Sequence, residues 1–171
     1  MAQAGLDNET RTMILDTIGS LKNELLTREK ILDLDDKSEF PIEIVRELLS
    51  ERVGLQMVFI PEEFGGLGGG AVDTYHVSVE LAKICLGVST AFLAIHLGAE
   101  PILLFGTDDQ KQKWLGKIIN ESALVAYAVT EADAGSNLDA IKTKAEPVID
   151  NSGKIVAWRL NGSKQFISNG G

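Results

Sequence analysis

Apolar periodicity changes character once along this chain, near Asn120, and that change limits the fold more than any other feature. Before it, apolar residues recur every three or four positions, the spacing of one helical face. After it come short runs with valine, isoleucine and tyrosine that suit strands. Ile14, Ile18, Leu21 and Leu25 predict a first helix, which the charges of Asp33, Asp35, Asp36 and Lys37 should break. Phe40-Pro41 opens a second, with Ile42, Val45, Leu48 and Leu49 as its stripe and Gly54 as a stop. A loop punctuated by proline and glycine, 60–70, separates this from a helix carrying Val72, Tyr75, Val79, Ala82 and Leu86. Val88, Ala91, Phe92 and Ile95 continue the spacing towards a break at Gly98 or Pro101. The next helix starts after Thr107, where Gln110 completes a capping box, and turns Trp114, Leu115 and Ile118 inward.

Beyond Asn120, Leu124 to Thr130 reads as a buried strand, and another lies around Ile141 to Ala145, before a turn at 150–153. Asn161-Gly162 lies between the strand-like runs Ile155–Leu160 and Ser163–Ser168, which predicts a type I′ hairpin. The expected class is therefore α+β. An all-helical amino-terminal bundle over 1–120 precedes an incomplete antiparallel β domain over 121–171.

Charge and composition narrow the function. With 16 basic and 25 acidic residues the chain carries a formal charge of -9. That is a poor match for phosphate backbones, so no nucleic-acid partner is expected. Cys85 is the only cysteine, which leaves no intrachain disulfide, and its apolar neighbours suggest a buried inert thiol. His76 and His96 lack neighbouring ligands, so no metal site is expected. The first ten residues show no signal or transit pattern, and the apolar stretch 84–105 is interrupted by His96, Glu100 and Pro101. A buried helix pair fits that stretch better than a membrane span, and the cytoplasm is the default compartment.

Two segments could carry chemistry. The glycine run 66–70 lacks the strand before it and the acidic residue about twenty positions on that a dinucleotide fingerprint needs, so it reads as a structural loop. Tyr127-Ala128-Val129-Thr130 instead empties into the small and hydroxyl residues of 131–137, where backbone N–H groups and hydroxyls could meet a flat heteroaromatic edge. In the second segment, 161–171, Phe166 and Ser168 would share one face of a strand, an aromatic surface beside a hydroxyl.

Together these segments resemble the acyl-CoA dehydrogenase family, whose motifs read approximately Y-x-V-T-E-P-x-A-G-S-D and N-G-x-K-x-[W/F]-I-[T/S]-N-G. Phe40-Pro41, the run 60–68 and Gly106-Thr107-Asp108-Asp109-Gln110-Lys111 also look like family landmarks, in the same order. The resemblance implies FAD as cofactor, an acyl-CoA substrate oxidised to 2-enoyl-CoA, and an electron acceptor such as an electron-transfer flavoprotein. It also implies a homo-oligomer. Tyr127, Ala128, Val129 and Thr130 would form a flavin wall, Val129 by its backbone and Thr130 by its hydroxyl. Ser136 would close that stretch and contact the CoA thioester. Phe166 and Ile167 would lie at the flavin face, with Ser168 bonded to the ring. The family's base is usually a glutamate in a carboxy-terminal helical bundle, and no residue here matches it. The chain is thus expected to stop before that bundle, and to be inactive alone.

Ala132-Asp133 stands where the family has proline and a small neighbour, Asn137 where aspartate is common, and Phe166 and Ser168 where tryptophan and threonine are frequent. These departures bear on substrate preference more than on flavin binding. Two other readings remain open: an acyl-CoA oxidase or related flavin monooxygenase, and a non-catalytic helical module with a self-associating apolar surface.

Overall fold

A computed structural model describes residues 5–171; Met1–Ala4, part of the polar start of the chain, lie outside the described residues. It contains α1 (Asn8–Glu24), α2 (Arg28–Lys37), α3 (Ile42–Leu48), α4 (Ala71–Ile84), α5 (Leu86–Phe105) and α6 (Asp108–Asn120). An antiparallel pair follows, β1 (Lys144–Ile149) and β2 (Ile155–Asn161). The α+β order matches the expected class.

Local chemistry sets most helix ends. Asp7 caps α1 by accepting the Thr10 amide at 2.8 Å, and Thr107 with Gln110 forms the capping box of α6. The cluster of charge at 33–37 does not break a helix. It forms the solvated end of α2, which Thr27 caps and which stops at Ser38 in the left-handed region. Likewise α3 ends at Leu48, well before Gly54, whose φ of +64° instead opens a short 3-10 turn, Leu55–Phe59.

Helix α5 is the packing centre. Val88, Ala91, Phe92, Ile95 and Ala99 are buried against α3, α4, α6 and the 55–59 turn, and the rings of Phe59 and Phe92 meet at 5.8 Å. Each fully buried side chain of this size contributes roughly 1.5–3 kcal/mol. Neither Gly98 nor Pro101 ends the helix, so the stretch 84–105 is chiefly one helix rather than a pair. Pro101 only removes one N–H from the helical ladder. By length and composition α5 could cross a bilayer; here it packs against α3, α4 and α6. Cys85, at its junction with α4, is half-buried rather than enclosed.

Two expected faces turn out differently. In α4 the buried residues are Asp73, Thr74, Val77, Ser78 and Leu81, while Val72 and Tyr75 face outward. The inversion follows from Asp73, only 2% exposed, whose carboxylate takes the Leu6 and Gly70 amides and the Arg11 guanidinium. A carboxylate holding three donors can be buried, and the helix rotates to bury it. Burial pushes the Asp73 carboxyl up, but those donors outweigh it and leave its pKa below the ordinary value. In α6, Leu115 and Ile118 are buried as expected, whereas Trp114 stays at the surface beneath the Lys113 and Lys117 ammonium groups.

The β region differs most. Residues 124–130 are extended and half-buried but pair with no strand among the described residues. The hairpin turn lies at 150–153, where the Asp150 carboxylate accepts the Ser152 and Lys154 amides and Gly153 takes φ +81°. Asn161-Gly162 makes no turn of the expected kind, since neither residue has positive φ. Gly162 instead lies hard against Thr143, where a side chain would overlap the threonine hydroxyl. Ser163 to Ser168 is consequently not a strand.

Glycines in the 60–70 loop serve packing. A Cβ on Gly66 would overlap the Ile60 carbonyl, and one on Gly69 would lie 2.5 Å from the Val58 carbonyl oxygen. Gly66→Ala should therefore lower stability by about 1–3 kcal/mol. Gly19→Ala, mid-helix with open space around it, should raise stability by about 0.5–1 kcal/mol. Urea midpoints followed by circular dichroism check both; equal midpoints would refute this account of the loop.

Candidate functional site

Gly98 allows the chain leaving α6 to run against α5, for a Cβ there would lie 2.5 Å from the Val125 Cγ1. The segment 124–130 lies in this way beside the exposed flank of α5. The carboxy-terminal segment returns to it through Asn169, whose side-chain nitrogen donates to the Ala91 carbonyl at 3.0 Å and the Val125 carbonyl at 3.2 Å. Upstream, the Gln165 amide donates to the Thr130 carbonyl at 3.0 Å, and Lys164 Nζ to the Val129 carbonyl at 2.8 Å.

Between these three pieces lies an open groove of about 500 Å³, lined by Thr90, Leu93, Ala94, His96 and Leu97 of α5, Tyr127, Val129 and Thr130 of the first segment, and Phe166, Ile167 and Ser168 of the second. Its volume is within the range of small-molecule sites, roughly 300–1,000 Å³. Six of the eight residues expected from the sequence meet here. Ala128 and Ser136 do not line the groove; both are exposed, Ser136 beyond the tight turn in which Glu131 and Ala134 exchange backbone hydrogen bonds.

The groove walls combine apolar surface with free donors. The amides of Tyr127, Val129 and Thr130 and the hydroxyls of Thr130 and Ser168 have no hydrogen-bond partner among the described residues. Phe166 is unusual: it has φ +57° and is 88% exposed. A bulky residue seldom adopts that backbone, and the cost is of order 1–2 kcal/mol. Such strain is typical of ligand clamps. Phe166 and Ser168 thus share the groove without sharing a strand face.

Glu131 fixes the back of the site. Only 7% exposed, it pairs with Lys164 Nζ at 2.8 Å and accepts the Lys142 amide at 2.7 Å, the Thr143 amide and the Thr143 hydroxyl. The Lys164 ammonium first, then the Thr143 hydroxyl and Lys142 amide, hold its carboxyl down at about 2. With so many donors it stays ionised, which makes it unsuited to accept a proton at neutral pH. Asp133, where the family motif has a small residue, has its charge met by Lys142.

Sequence reasoning gave neither Glu131 nor Asp73 a role; the structure buries both, each with a cationic partner. It also missed the α5 wall. The signal was there, because Thr90, Leu93 and Leu97 form a second stripe beside the buried one, and a helix apolar on two sides has two surfaces to cover. His96, noted in the sequence for its lack of neighbouring ligands, borders the groove with its ring 4.9 Å from Phe59. Burial lowers its pKa against the opposing charge of Glu100, so the imidazole is neutral at neutral pH.

The chain is similar to known proteins over most of its length. A family model described as acyl-CoA dehydrogenase, N-terminal domain, matches residues 8–122. A probable medium-chain specific mitochondrial acyl-CoA dehydrogenase of Caenorhabditis briggsae is 33% identical over 164 residues, covering 96% of this chain and 38% of that protein. The structure of butyryl-CoA dehydrogenase from Megasphaera elsdenii superposes with a TM-score of 0.82 at 32% identity, over 97% of this chain and 42% of that one. That of an acyl-CoA dehydrogenase complexed with FAD from Bacillus anthracis gives 0.76 at 29% identity, over 98% and 28%. The chain spans about two fifths or less of the length of each of these relatives.

Glu131 yields a prediction. Because its folded pKa lies below the ordinary 4.5, its contribution to stability is complete above that pH and is lost as pH falls towards about 2. Glu131→Gln should be less stable than the native chain at pH 6, with the gap narrowing steadily as pH falls from 4.5 to 2.5. Urea unfolding across that range measures it; a gap independent of pH would refute the assignment.

Proposed function

The chain belongs to the acyl-CoA dehydrogenase family, and from that premise we propose that its groove receives the ring system of FAD and forms one wall of an acyl-CoA dehydrogenation site. The family is FAD-dependent, and the residues here suit such a ring. Apolar side chains from α5, Tyr127, Ile167 and Phe166 offer surface to a flat heteroaromatic system, and unpaired amides among the groove-lining residues 127, 129 and 130 offer donors to its polar edge. The observation that carries the reading is this coincidence of free donors with an apolar groove at the two motif segments.

When bound, the flavin supplies the acceptor for a hydride from the β carbon of an acyl-CoA. The chain's own residues orient and desolvate. Thr130 and Ser168 donate hydrogen bonds from opposite walls, Val129 presents backbone, and Phe166 covers the open side. Glu131 is committed to its own donors, so proton removal from the α carbon falls to no described carboxylate of this site. An acyl-CoA and an acceptor such as an electron-transfer flavoprotein complete the proposal, together with a homo-oligomeric assembly. Residues 121–171 carry the two flavin-facing motif segments, and the helical part within 1–120 supplies the support and the α5 wall.

Titrating FAD into the chain and following flavin fluorescence tests the reading. The native chain should quench it saturably. Thr130→Val and Ser168→Ala should each weaken binding about 3–10-fold, one hydrogen bond's worth, while leaving the circular dichroism unchanged. Absence of saturable quenching, or variants as tight as the native chain, would count against it.

A further inference from the structure

Lys164 sits on the second motif segment, and its ammonium reaches the first segment at two points. It reaches the Val129 carbonyl and the Glu131 carboxylate at 2.8 Å each, and its side chain is only 22% exposed. The Val129 carbonyl belongs to the same peptide unit as the Thr130 N–H, one of the donors without a partner among the described residues. A cation bonded to a carbonyl draws electron density towards the oxygen and leaves the N–H across that peptide more positive. Such chains of hydrogen bonds strengthen one another in a low-dielectric setting.

Building on the flavin reading, we propose that Lys164 is a positioning residue for the groove: it clasps the two walls and, through the Val129 peptide, makes the Thr130 amide a stronger donor to the bound ring. Two features support this over simple surface pairing. Glu131 holds the ammonium in place while its own oxygens are anchored by Lys142 and Thr143, so the cation cannot swing away without leaving a buried charge. The neighbouring Gln165 fixes the register by donating to the Thr130 carbonyl and, from its side chain, to the Glu131 carbonyl. The clasp therefore acts on the peptide that joins Val129 to Thr130, two residues that line the groove.

The test separates the charge from the fold. Lys164→Met alone would strand Glu131, so the informative variant is the pair Lys164→Met with Glu131→Gln, compared with Glu131→Gln alone and with Lys164→Arg. In carbon-13 and nitrogen-15 labelled protein without flavin, the Val129 carbonyl resonance should move upfield in the paired variant. It should stay near its native position in Glu131→Gln and Lys164→Arg. FAD affinity should fall about tenfold in the paired variant and no more than about threefold in the other two. A Val129 carbonyl that ignores the loss of Lys164 would overturn the proposal. So would Glu131→Gln losing as much affinity as the pair, since the lysine would then act only through the carboxylate. A native chain that takes up no FAD, while its Val129 carbonyl still answers to Lys164, would sink the flavin reading and leave the polarised amide standing.

Discussion

The passage of residues 124–126 across α5 requires that position 98 carry no side chain. Glycine there weakens a helix by about 1 kcal/mol relative to alanine, and α5 carries that cost in its apolar middle. In exchange an extended segment reaches the helix backbone closely enough for Asn169 to bridge the Ala91 and Val125 carbonyls with one amide nitrogen. The helical core, the extended segment and the returning chain end are thereby held as one frame. The groove is the space that frame leaves open.

Electrostatics fixes the rest of the frame. Glu131 draws donors from 142–143 and from Lys164, so three stretches distant in sequence converge on one buried carboxylate. In the helical part Asp73 does the same for Leu6, Arg11 and Gly70. In both places hydrogen bonds to an ionised group make its burial tolerable, and the surrounding segments take up whatever path reaches it. For 163–168 that path excludes a strand, because Lys164 and Gln165 are drawn back to 129–131 rather than to β2.

Helix positions were largely legible in the sequence, because caps such as Thr107 and stripes such as Val88, Ala91, Phe92 and Ile95 are local signals. Faces were less so. Val72 and Tyr75 look like a core stripe until Asp73 is known to be satisfied, and that depends on Arg11, sixty-two positions away. The Asn161-Gly162 hairpin failed for a similar reason: its close approach to Thr143 is a tertiary contact that no dipeptide preference contains. At the groove, the two motif segments were found from the residue types they carry. The α5 wall was missed because only the buried stripe of Val88, Ala91, Phe92 and Ile95 was read, and Leu93 and Leu97 beside it were not. The Glu131–Lys164 pair was present in both motifs, but only folding brings the two together.

Mapping where FAD touches the chain tests the central claim most directly. In a nitrogen-15 labelled sample titrated with FAD, the account predicts amide shifts concentrated at 127–130, at 166–168 and along 90–97 of α5. Shifts clustered instead at the glycine loop 65–70, or spread without pattern over the surface, would contradict it.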